Sequence, residues 1–439
     1  MLSIGMDTHE KEHWIEIQNS EQMKMWNGKI TNNRDGFNSL LEKIHTVEKS
    51  NNQDVMGIFM NPTGNYHMPL KHFLEINGFK ERIFLVDARR TEHMRTILNL
   101  GKEKSDPEDA HILASVPWLD KSYVERRGHE RSPLSDLTRF RESVNNNISR
   151  IKNFICADLA IIFPEFRTLF DIESKTGLIL LEKYTTPENI SKISLKVLSN
   201  LMRKASKNHY KKEDAANLIQ IAKDSIGVPD EDNTFTIRIR TNIERLKREI
   251  ETTKKLSTEI ENRSKDNQDV KNLSNMRGIG NNSAATIVSE IGDIKQFNSV
   301  EKLQSYGGKC PDMTGSGGKV YAKKVTKIRN SYLSNTVYEC AVSLVTHKNH
   351  EFSELFDREI DKNKTKTEAY IVVGKRLLYH IYSIMKNGKP YRERNFKNVN
   401  VGGGGYFLRS KKKGFVQKIN INPPLHTPLI LYRYLHHFQ

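Results

Sequence analysis

The chain has 439 residues, which is enough for two or three domains. Lys and Arg outnumber Asp and Glu by 70 to 53, and the formal net charge of +17 favours a polyanionic partner, with nucleic acid ahead of an anionic membrane surface. The absence of a run of about 18 apolar residues argues against membrane insertion. The three cysteines (Cys156, Cys310 and Cys340) lack CxxC spacing, which argues against a zinc site and a disulfide framework and fits a reducing cytoplasm.

The first 120 residues alternate between apolar runs typical of strands and stretches with helical spacing. Strands are predicted at residues 2–6, 14–17, 23–29, 55–60 and 83–86, and helices at 66–76, from Asp106, and after a cap at Asp35. Three strands followed by helix, strand, helix, strand and helix is the order of a ribonuclease-H-like α/β domain. We therefore predict such a domain over residues 1–125.

Four polar side chains lie where a sheet of this kind binds its ligands. Asp7 ends the first strand, Asn61 follows the fourth, and Asp106 and Asp109 share one face at a helix start, with Asp106 as the expected N-cap. Ligands of such sheets bind at the carboxyl ends of the strands, so these groups could together hold one or two Mg²⁺ ions. The alternative is a capping motif with surface acids.

Residues 126–270 are predicted to be helical. A heptad pattern from Thr236 to Arg263 predicts a coiled-coil seam. Its two registers are Ile239, Leu246 and Ile260, and Ile243 and Ile250. The seam could pair subunits of a homodimer or homotetramer, or it could close a helical hairpin within one chain.

Residues 271–390 form a predicted second, mostly α-helical domain that begins with Gly278-Ile279-Gly280. A Gly-Ile-Gly turn that opens a helix is like a helix-hairpin-helix motif, in which backbone N–H groups approach a phosphate closely, so Gly278 and Gly280 are candidate nucleic-acid contacts. A plain turn is the alternative.

A glycine-rich loop follows, and it includes Gly308, Pro311, Ser316 and Gly317. A serine flanked by glycines can approach a backbone phosphate with little steric obstruction. The neighbouring cations are candidate phosphate contacts: Lys319, Lys323, Lys324, Lys327 and Arg329. The alternative is a Gly/Ser turn. Residues 391–439 are rich in Lys and Arg, and they are predicted to be a basic tail that either contacts nucleic acid or is merely solvated.

These motifs, in this order, resemble the DEDD transposases of the IS110 family of insertion sequences, whose nuclease domain is similar to the Holliday-junction resolvase RuvC. The resemblance covers residues 1–390. It is carried by Gly5-Met6-Asp7-Thr8-His9, Asn61-Pro62-Thr63-Gly64-Asn65-Tyr66, Lys104-Ser105-Asp106-Pro107-Glu108-Asp109-Ala110, Gly278-Ile279-Gly280, Ser289-Glu290-Ile291-Gly292-Asp293, and the spacing of Gly308, Pro311, Ser316 and Gly317.

The resemblance implies a DNA recombinase of the prokaryotic cytoplasm, associated with the nucleoid. Asp7, Asn61, Asp106 and Asp109 then stand at the positions of the Mg²⁺-binding acids, and Ser316 stands at that of the nucleophile. The family is guided by a structured bridge RNA, and a coiled coil between its catalytic domains favours pairing between subunits.

Three positions depart from the family pattern, and one of them is Arg329, which stands where the family usually has a glycine. Asn61 stands where the family has Glu, and an amide oxygen can bind Mg²⁺ but brings no charge. Ser334 stands where the family has an arginine. A metal-dependent junction nuclease and a degenerate transposase kept as a nucleic-acid-binding protein are therefore the alternative functions.

Overall fold

The structure is a computed structural model that describes residues 1–62, 64–86, 88–98, 105–119, 132–316, 319–325 and 329–392. For residues 88–90, 93 and 311–325 it describes the backbone alone. Lys327 and nearly all of the predicted basic tail, from residue 393 onward, lie outside the described residues.

One sheet organises the N-terminal residues. Its strands are β1 (Leu2–Thr8), β2 (Glu12–Gln18), β3 (Lys24–Thr31), β4 (Val55–Met60) and β5 (Ile83–Leu85). The strand order is β3-β2-β1-β4-β5, in which β1–β2 and β2–β3 are antiparallel and β1–β4 and β4–β5 are parallel. The five predicted strands are confirmed, and their order fits a ribonuclease-H-like domain.

Helices pack against this sheet, and every residue of β1 is buried as a result. They are α1 (Arg34–Asn51), α2 (His67–Leu74), α3 (Ala88–Ile97) and α4 (Asp106–Leu119). On one side, Ile4 and Met6 pack with Leu40 and Ile44 of α1. The expected cap at Asp35 is wrong, because the side chain of Asn33 accepts the Gly36 N–H.

Two long antiparallel helices, α5 (Pro133–Ile162) and α11 (Thr234–Ser264), form the middle of the chain. Their direction follows from cross-helix hydrogen bonds, since Arg141 contacts Ser257 and Asn145 contacts Thr253. Between them in sequence lie α6 (Phe166–Leu169), α7 (Lys175–Lys183), α8 (Pro187–Ser191), α9 (Leu195–Ala205) and α10 (Lys212–Lys223).

The predicted seam of α11 is used within the chain. Ile239, Ile243 and Leu246 are buried in one cluster with Ile155 and Leu159 of α5. The structure therefore has the intramolecular helix pair, and these side chains are not available to pair subunits.

The described residues from 268 onward are mostly helical and include one β-hairpin. Their elements are α12 (Gln268–Ser274), α13 (Asn281–Ile291), α14 (Val300–Tyr306), β6 (Pro311–Ser316), β7 (Lys319–Val325), α15 (Ser331–Thr346), α16 (His350–Asp361) and α17 (Lys366–Asn387). The helices share one apolar cluster centred on α13, α15 and α17. Within the described ranges, no helix has both the length and the apolar character needed to cross a membrane.

Candidate active site

Small residues bring α4 down onto β1. A side chain at Gly5 would overlap the backbone of Ala110 and Ala114, and the Ser3 hydroxyl donates a 2.6 Å hydrogen bond to the Ala114 carbonyl. The Ser105 carbonyl accepts the Asp109 N–H, so α4 begins at Asp106 itself, one residue earlier than expected, and Asp106 lies in its first turn. This close packing fixes the start of α4 beside the carboxyl end of β1.

Three side chains form a group at this point. The His9 Nε2 atom lies 3.1 Å from Asp7 Oδ2 and 3.4 Å from Asp106 Oδ1. One ligand atom from each residue falls within a set whose members are all within 4.8 Å of one another, so Asp7, His9 and Asp106 could hold a metal ion. Carboxylate oxygens suit hard divalent cations, and an imidazole nitrogen widens the range of metals that fit.

The electrostatics of Asp7 favour a cation. Burial raises the pKa of Asp7, and Asp109 and Asp106 raise it further, whereas the hydrogen bond and charge of His9 act against the rise. A bound divalent cation would stabilise the ionised carboxylate that burial disfavours.

Asn61 lies at the end of β4, beside β1. Its backbone carbonyl accepts a 3.3 Å hydrogen bond from the Thr8 hydroxyl. Its side chain is 4% exposed, and the described residues offer no hydrogen-bond partner to its Oδ1 atom. A buried amide oxygen without a partner costs about 1–3 kcal/mol, and a metal ion is one partner that removes this cost.

Asp109, one turn further along α4, is paired with an arginine and is not part of the group formed by Asp7, His9 and Asp106. Arg95 of α3 forms ion pairs with Asp109 and, at 2.8 Å, with Glu108. The structure thus brings Asp7 and Asp106 together as the sequence predicts, adds His9, and pairs Asp109 with a cation.

Glu16 of β2 also faces α4, but its carboxylate is hydrogen-bonded to protein side chains. His111 Nδ1 lies 2.7 Å from Glu16 Oε1, and Gln18 donates to the same oxygen at 2.8 Å. Burial acts to raise the pKa of Glu16, but these hydrogen bonds and the charges of His111 and Lys24 lower it overall. This carboxylate therefore holds α4 to the sheet and does not replace the glutamate missing at Asn61.

The candidate nucleophile Ser316 ends β6 and pairs with Lys319 across the hairpin. Only the backbone is described for Ser316, Lys319, Lys323 and Lys324, so their side-chain placement remains a prediction. Arg329 follows the hairpin and is exposed, with its aliphatic part against Gly308.

Gly278 and Gly280 lie in the turn between α12 and α13, where a turn joining two helices was predicted. Gly278 has a φ of +104° and faces the backbone of Leu344, so backbone geometry alone explains this glycine. Gly280 directly precedes α13, and a Cβ atom at this position would meet no other atom within 4 Å. Phosphate contact at either glycine stays a prediction.

A buried carboxylate ties the two ends of the hairpin region to α5. Glu290 of α13 is fully buried and receives two hydrogen bonds of 2.6 Å from Arg139 of α5. Asn330, which caps α15, donates to Glu290 at 2.7 Å and to the Tyr306 hydroxyl at 2.8 Å. Tyr306 and Asn330 flank the hairpin, so Glu290 fixes its base.

Comparison with known proteins identifies the family of this chain. A family model for DEDD transposases of the IS110 type matches residues 4–164. A second model, described as "Transposase IS116/IS110/IS902 family", matches residues 270–357. The chain belongs to the IS110 family of transposases.

Similar proteins include two from Streptomyces coelicolor. A 43.6 kDa protein of insertion element IS110 is 21% identical over 69% of this chain and 76% of its own length. The putative mini-circle transposase for IS117 is 21% identical over 75% of this chain and 81% of its own length. A pilin gene-inverting protein of Moraxella bovis is 25% identical over 28% of this chain and 38% of its own length.

This IS110-family chain is therefore a DNA transposase or recombinase, as its sequence motifs indicate. The first matched region contains Asp7, His9, Asn61, Asp106 and Asp109. The second contains the turn with Gly278 and Gly280, the hairpin with Ser316, and Glu290.

Proposed function

We propose that this transposase cuts and rejoins DNA phosphodiesters with Mg²⁺ bound by Asp7, Asp106, Asn61 and Asp109, and with Ser316 as the nucleophile. The observation that carries the proposal is the group of Asp7, His9 and Asp106 beside Asn61, whose buried amide oxygen lacks a partner among the described residues. Mg²⁺ at this site would neutralise charge on the phosphate and position its oxygens.

Each residue of the site has a separate role in this proposal. Asp7 supplies a buried carboxylate on a rigid strand, and α4 supplies Asp106 from its first turn. His9 supplies a neutral or positive nitrogen at 3.1 Å from Asp7, which orients that carboxylate. The serine Oγ would form a bond to phosphorus while one deoxyribose oxygen leaves.

This exchange conserves phosphodiester bonds. The serine hydroxyl gives up its proton and the freed deoxyribose oxygen takes one up, so one ester replaces another. A DNA strand held on Ser316 can then be passed to a new end without an external energy source.

A structured RNA and a second subunit complete the proposal. The RNA would pair with target and donor DNA, and the net charge of +17 suits a protein that holds both. A homodimer or homotetramer would let Ser316 of one subunit act beside the acids of another. Since the α11 seam packs on α5, another surface must join the subunits.

A covalent-adduct assay tests the proposal. The full-length chain is incubated with labelled DNA carrying the element ends, with Mg²⁺ and with RNA transcribed from the flanking region, and SDS-stable protein–DNA adducts are measured. We expect an adduct that disappears in Ser316→Ala and Asp106→Ala. The matched control is Ser305→Ala, an exposed serine on α14.

The other outcomes identify the alternatives. Mg²⁺-dependent cutting that survives Ser316→Ala would indicate a junction nuclease. Binding without cutting would indicate a degenerate transposase, an interpretation favoured by Asn61 and by the ion pair between Asp109 and Arg95. If Asn61→Glu restored cutting, the asparagine at position 61 would be the departure from the family pattern that disabled the site.

A further inference from the structure

The segment between α8 and α10 has a charge unlike that of the rest of the chain. Residues 189–212 hold seven Lys or Arg and no Asp or Glu, whereas the whole chain has 70 and 53. All seven cations are exposed. A local charge of +7 over 24 residues marks this segment as a strongly positive surface.

The cations lie on the outer side of a packed helix. In α9, Leu198 and Met202 are buried in the core of the middle region, and Ala205 on the same helix is buried too. Lys196 and Arg203 are exposed, and they share one side of the helix because they lie seven residues, or two helical turns, apart. The arrangement therefore presents positive charge outward from a fixed scaffold.

The turn after α9 extends the same surface. Lys207 and Asn208 both have left-handed backbone conformations, with φ of 53° and 69°. The turn is closed by a 2.8 Å hydrogen bond from the Asn208 N–H to the Arg203 carbonyl, and the Tyr210 N–H donates to Ser206 Oγ. This turn therefore holds the backbone of Lys207 directly after α9.

Helix stability does not explain the lysines at the start of α10. Lys211 and Lys212 stand at the N-terminal end of this helix, where positive charge opposes the helix dipole. The nearby carboxylate of Asp214 is engaged with the backbone, because it accepts a 2.6 Å hydrogen bond from the Lys211 N–H. These lysines add to the positive potential that Lys207 and Arg203 create.

The cations are not neutralised by the described part of the chain. Lys192 has an acid partner, Glu188, at 3.9 Å. The other six have no carboxylate within ion-pair distance among the described residues. We define these six as the α9–α10 basic surface: Lys196, Arg203, Lys204, Lys207, Lys211 and Lys212.

We propose that the α9–α10 basic surface binds the phosphate backbone of duplex DNA without reading its sequence. The proposal rests on the proposed function in that DNA is the substrate of this transposase. An anionic membrane fits less well, because an interfacial helix needs a free apolar face and that face of α9 is buried. Lysine and arginine on a rigid helical surface suit backbone contacts, which position DNA.

Salt-dependent DNA binding tests this surface. Binding of the full-length protein to a duplex of arbitrary sequence, several helical turns long, is measured by fluorescence anisotropy at increasing KCl. The test variant combines Lys196→Gln, Arg203→Gln, Lys204→Gln and Lys207→Gln. The matched control combines Arg245→Gln, Arg248→Gln, Lys254→Gln and Lys255→Gln, which are equally exposed on α11 but interspersed with glutamates.

The test variant should bind duplex DNA at least about tenfold more weakly at low salt, and its plot of log K against log salt should be shallower by about 0.9 for each phosphate that the substituted side chains no longer neutralise. The control should change affinity by less than about threefold. Equal effects of the two variants, or no change in slope in the test variant, would overturn the proposal. Weaker binding to structured RNA with unchanged binding to duplex DNA would overturn it too.

The result is separable from that of the proposed function. All four substituted side chains are exposed, so the melting temperature and the affinity for Mn²⁺ should stay at wild-type values. If the test variant loses DNA affinity while no serine adduct forms in any variant, the basic surface stands and the nucleophile proposal fails. If serine adducts form but the salt slope of the test variant is unchanged, the nucleophile proposal stands and the basic-surface proposal fails.

Discussion

Arg95 of α3 is ion-paired with Asp109 of α4, so the second candidate metal ligand on this helix, after Asp106, is paired with a cation. The same guanidinium binds Glu108 at 2.8 Å. A metal ion that used Asp109 as a ligand would have to compete with this arginine.

The competition predicts that Arg95→Gln tightens the binding of divalent cations. Removal of one positive charge near the site is worth on the order of 1 kcal/mol, or about fivefold in affinity. Titration with Mn²⁺ by calorimetry measures the change. Without metal the variant should melt at a lower temperature than wild type, because Glu108 and Asp109 lose their partner, and added Mn²⁺ should restore much of the difference.

Arg263→Gln is the control for this prediction, since Arg263 pairs with Glu259 on the exposed side of α11. It should leave Mn²⁺ affinity unchanged. Weaker Mn²⁺ binding in Arg95→Gln would mean that the arginine supports the site, and Asp109 would not be a ligand.

Asn61→Asp should have opposite effects with and without metal. The new carboxyl would be buried near Asp7, whose pKa burial already raises. In EDTA the variant should therefore melt below wild type. A carboxyl whose folded pKa lies above its unfolded value contributes less stability as pH rises above the unfolded value, so the deficit should grow as the pH is raised above about 4.

With Mn²⁺ present, the added charge should become favourable and the variant should melt above wild type. Asn217→Asp, at an exposed position of α10, is the matched control and should show neither effect. If Asn61→Asp melts equally with and without Mn²⁺, then position 61 does not contact the metal.

Local sequence patterns predicted the elements of the N-terminal domain because alternation and apolar runs are properties of each strand by itself. β4 matches its predicted bounds, and Asp7 and Asp106 meet as expected. His9 was missed as a site residue although it stands two residues after Asp7 in the Gly5-Met6-Asp7-Thr8-His9 motif, directly after the end of β1.

The remaining features depend on contacts between distant residues. Arg95 meets Asp109, and Arg139 meets Glu290 across 151 positions, and no periodicity encodes such pairs. The heptads of α11 specify an apolar partner, but α5 and a second subunit satisfy that requirement equally well at the level of sequence. Only the tertiary structure shows that the partner of α11 is α5 of the same chain.

Gly5→Ala should destabilise the N-terminal domain and weaken its metal site together. The added methyl group would overlap the carbonyl of Ala110 and the backbone of Ala114, so α4 must move away from β1. Overpacking of this kind costs about 1–3 kcal/mol or more. Urea unfolding measures the destabilisation, and Mn²⁺ titration should show weaker binding because Asp106 moves with α4.

Gly280→Ala is the companion variant, because Gly280 has a φ of −83° and open space around its Cβ position. Its free energy of unfolding should equal or slightly exceed that of wild type. Any decrease of DNA affinity in this variant would then report a close phosphate contact at the turn. A destabilisation in Gly5→Ala no larger than that in Gly280→Ala would contradict the close packing of α4.

Lys309→Met should stabilise the protein at neutral pH. Lys309 is 5% exposed, and its Nζ atom donates to the Ser334 carbonyl at 3.1 Å and lies 5.7 Å from the centre of the Tyr338 ring. Burial, with a contribution from the charge of Arg329, lowers the pKa of Lys309 from 10.5 to about 8. The charged amine is therefore held in the fold at a cost on the order of 3 kcal/mol.

The sign of the pH dependence follows from proton binding. Between about pH 8 and pH 10.5 the unfolded chain keeps the proton on Lys309 while the folded chain has released it, so wild-type stability should rise with pH in this interval. Lys309→Met should remove that part of the rise and melt above wild type at about pH 7. Lys386→Met is the matched control, because Lys386 also lies over a tyrosine ring, that of Tyr382, but is exposed. An unchanged slope in Lys309→Met, or equal effects of the two variants, would show that the buried amine does not carry this penalty.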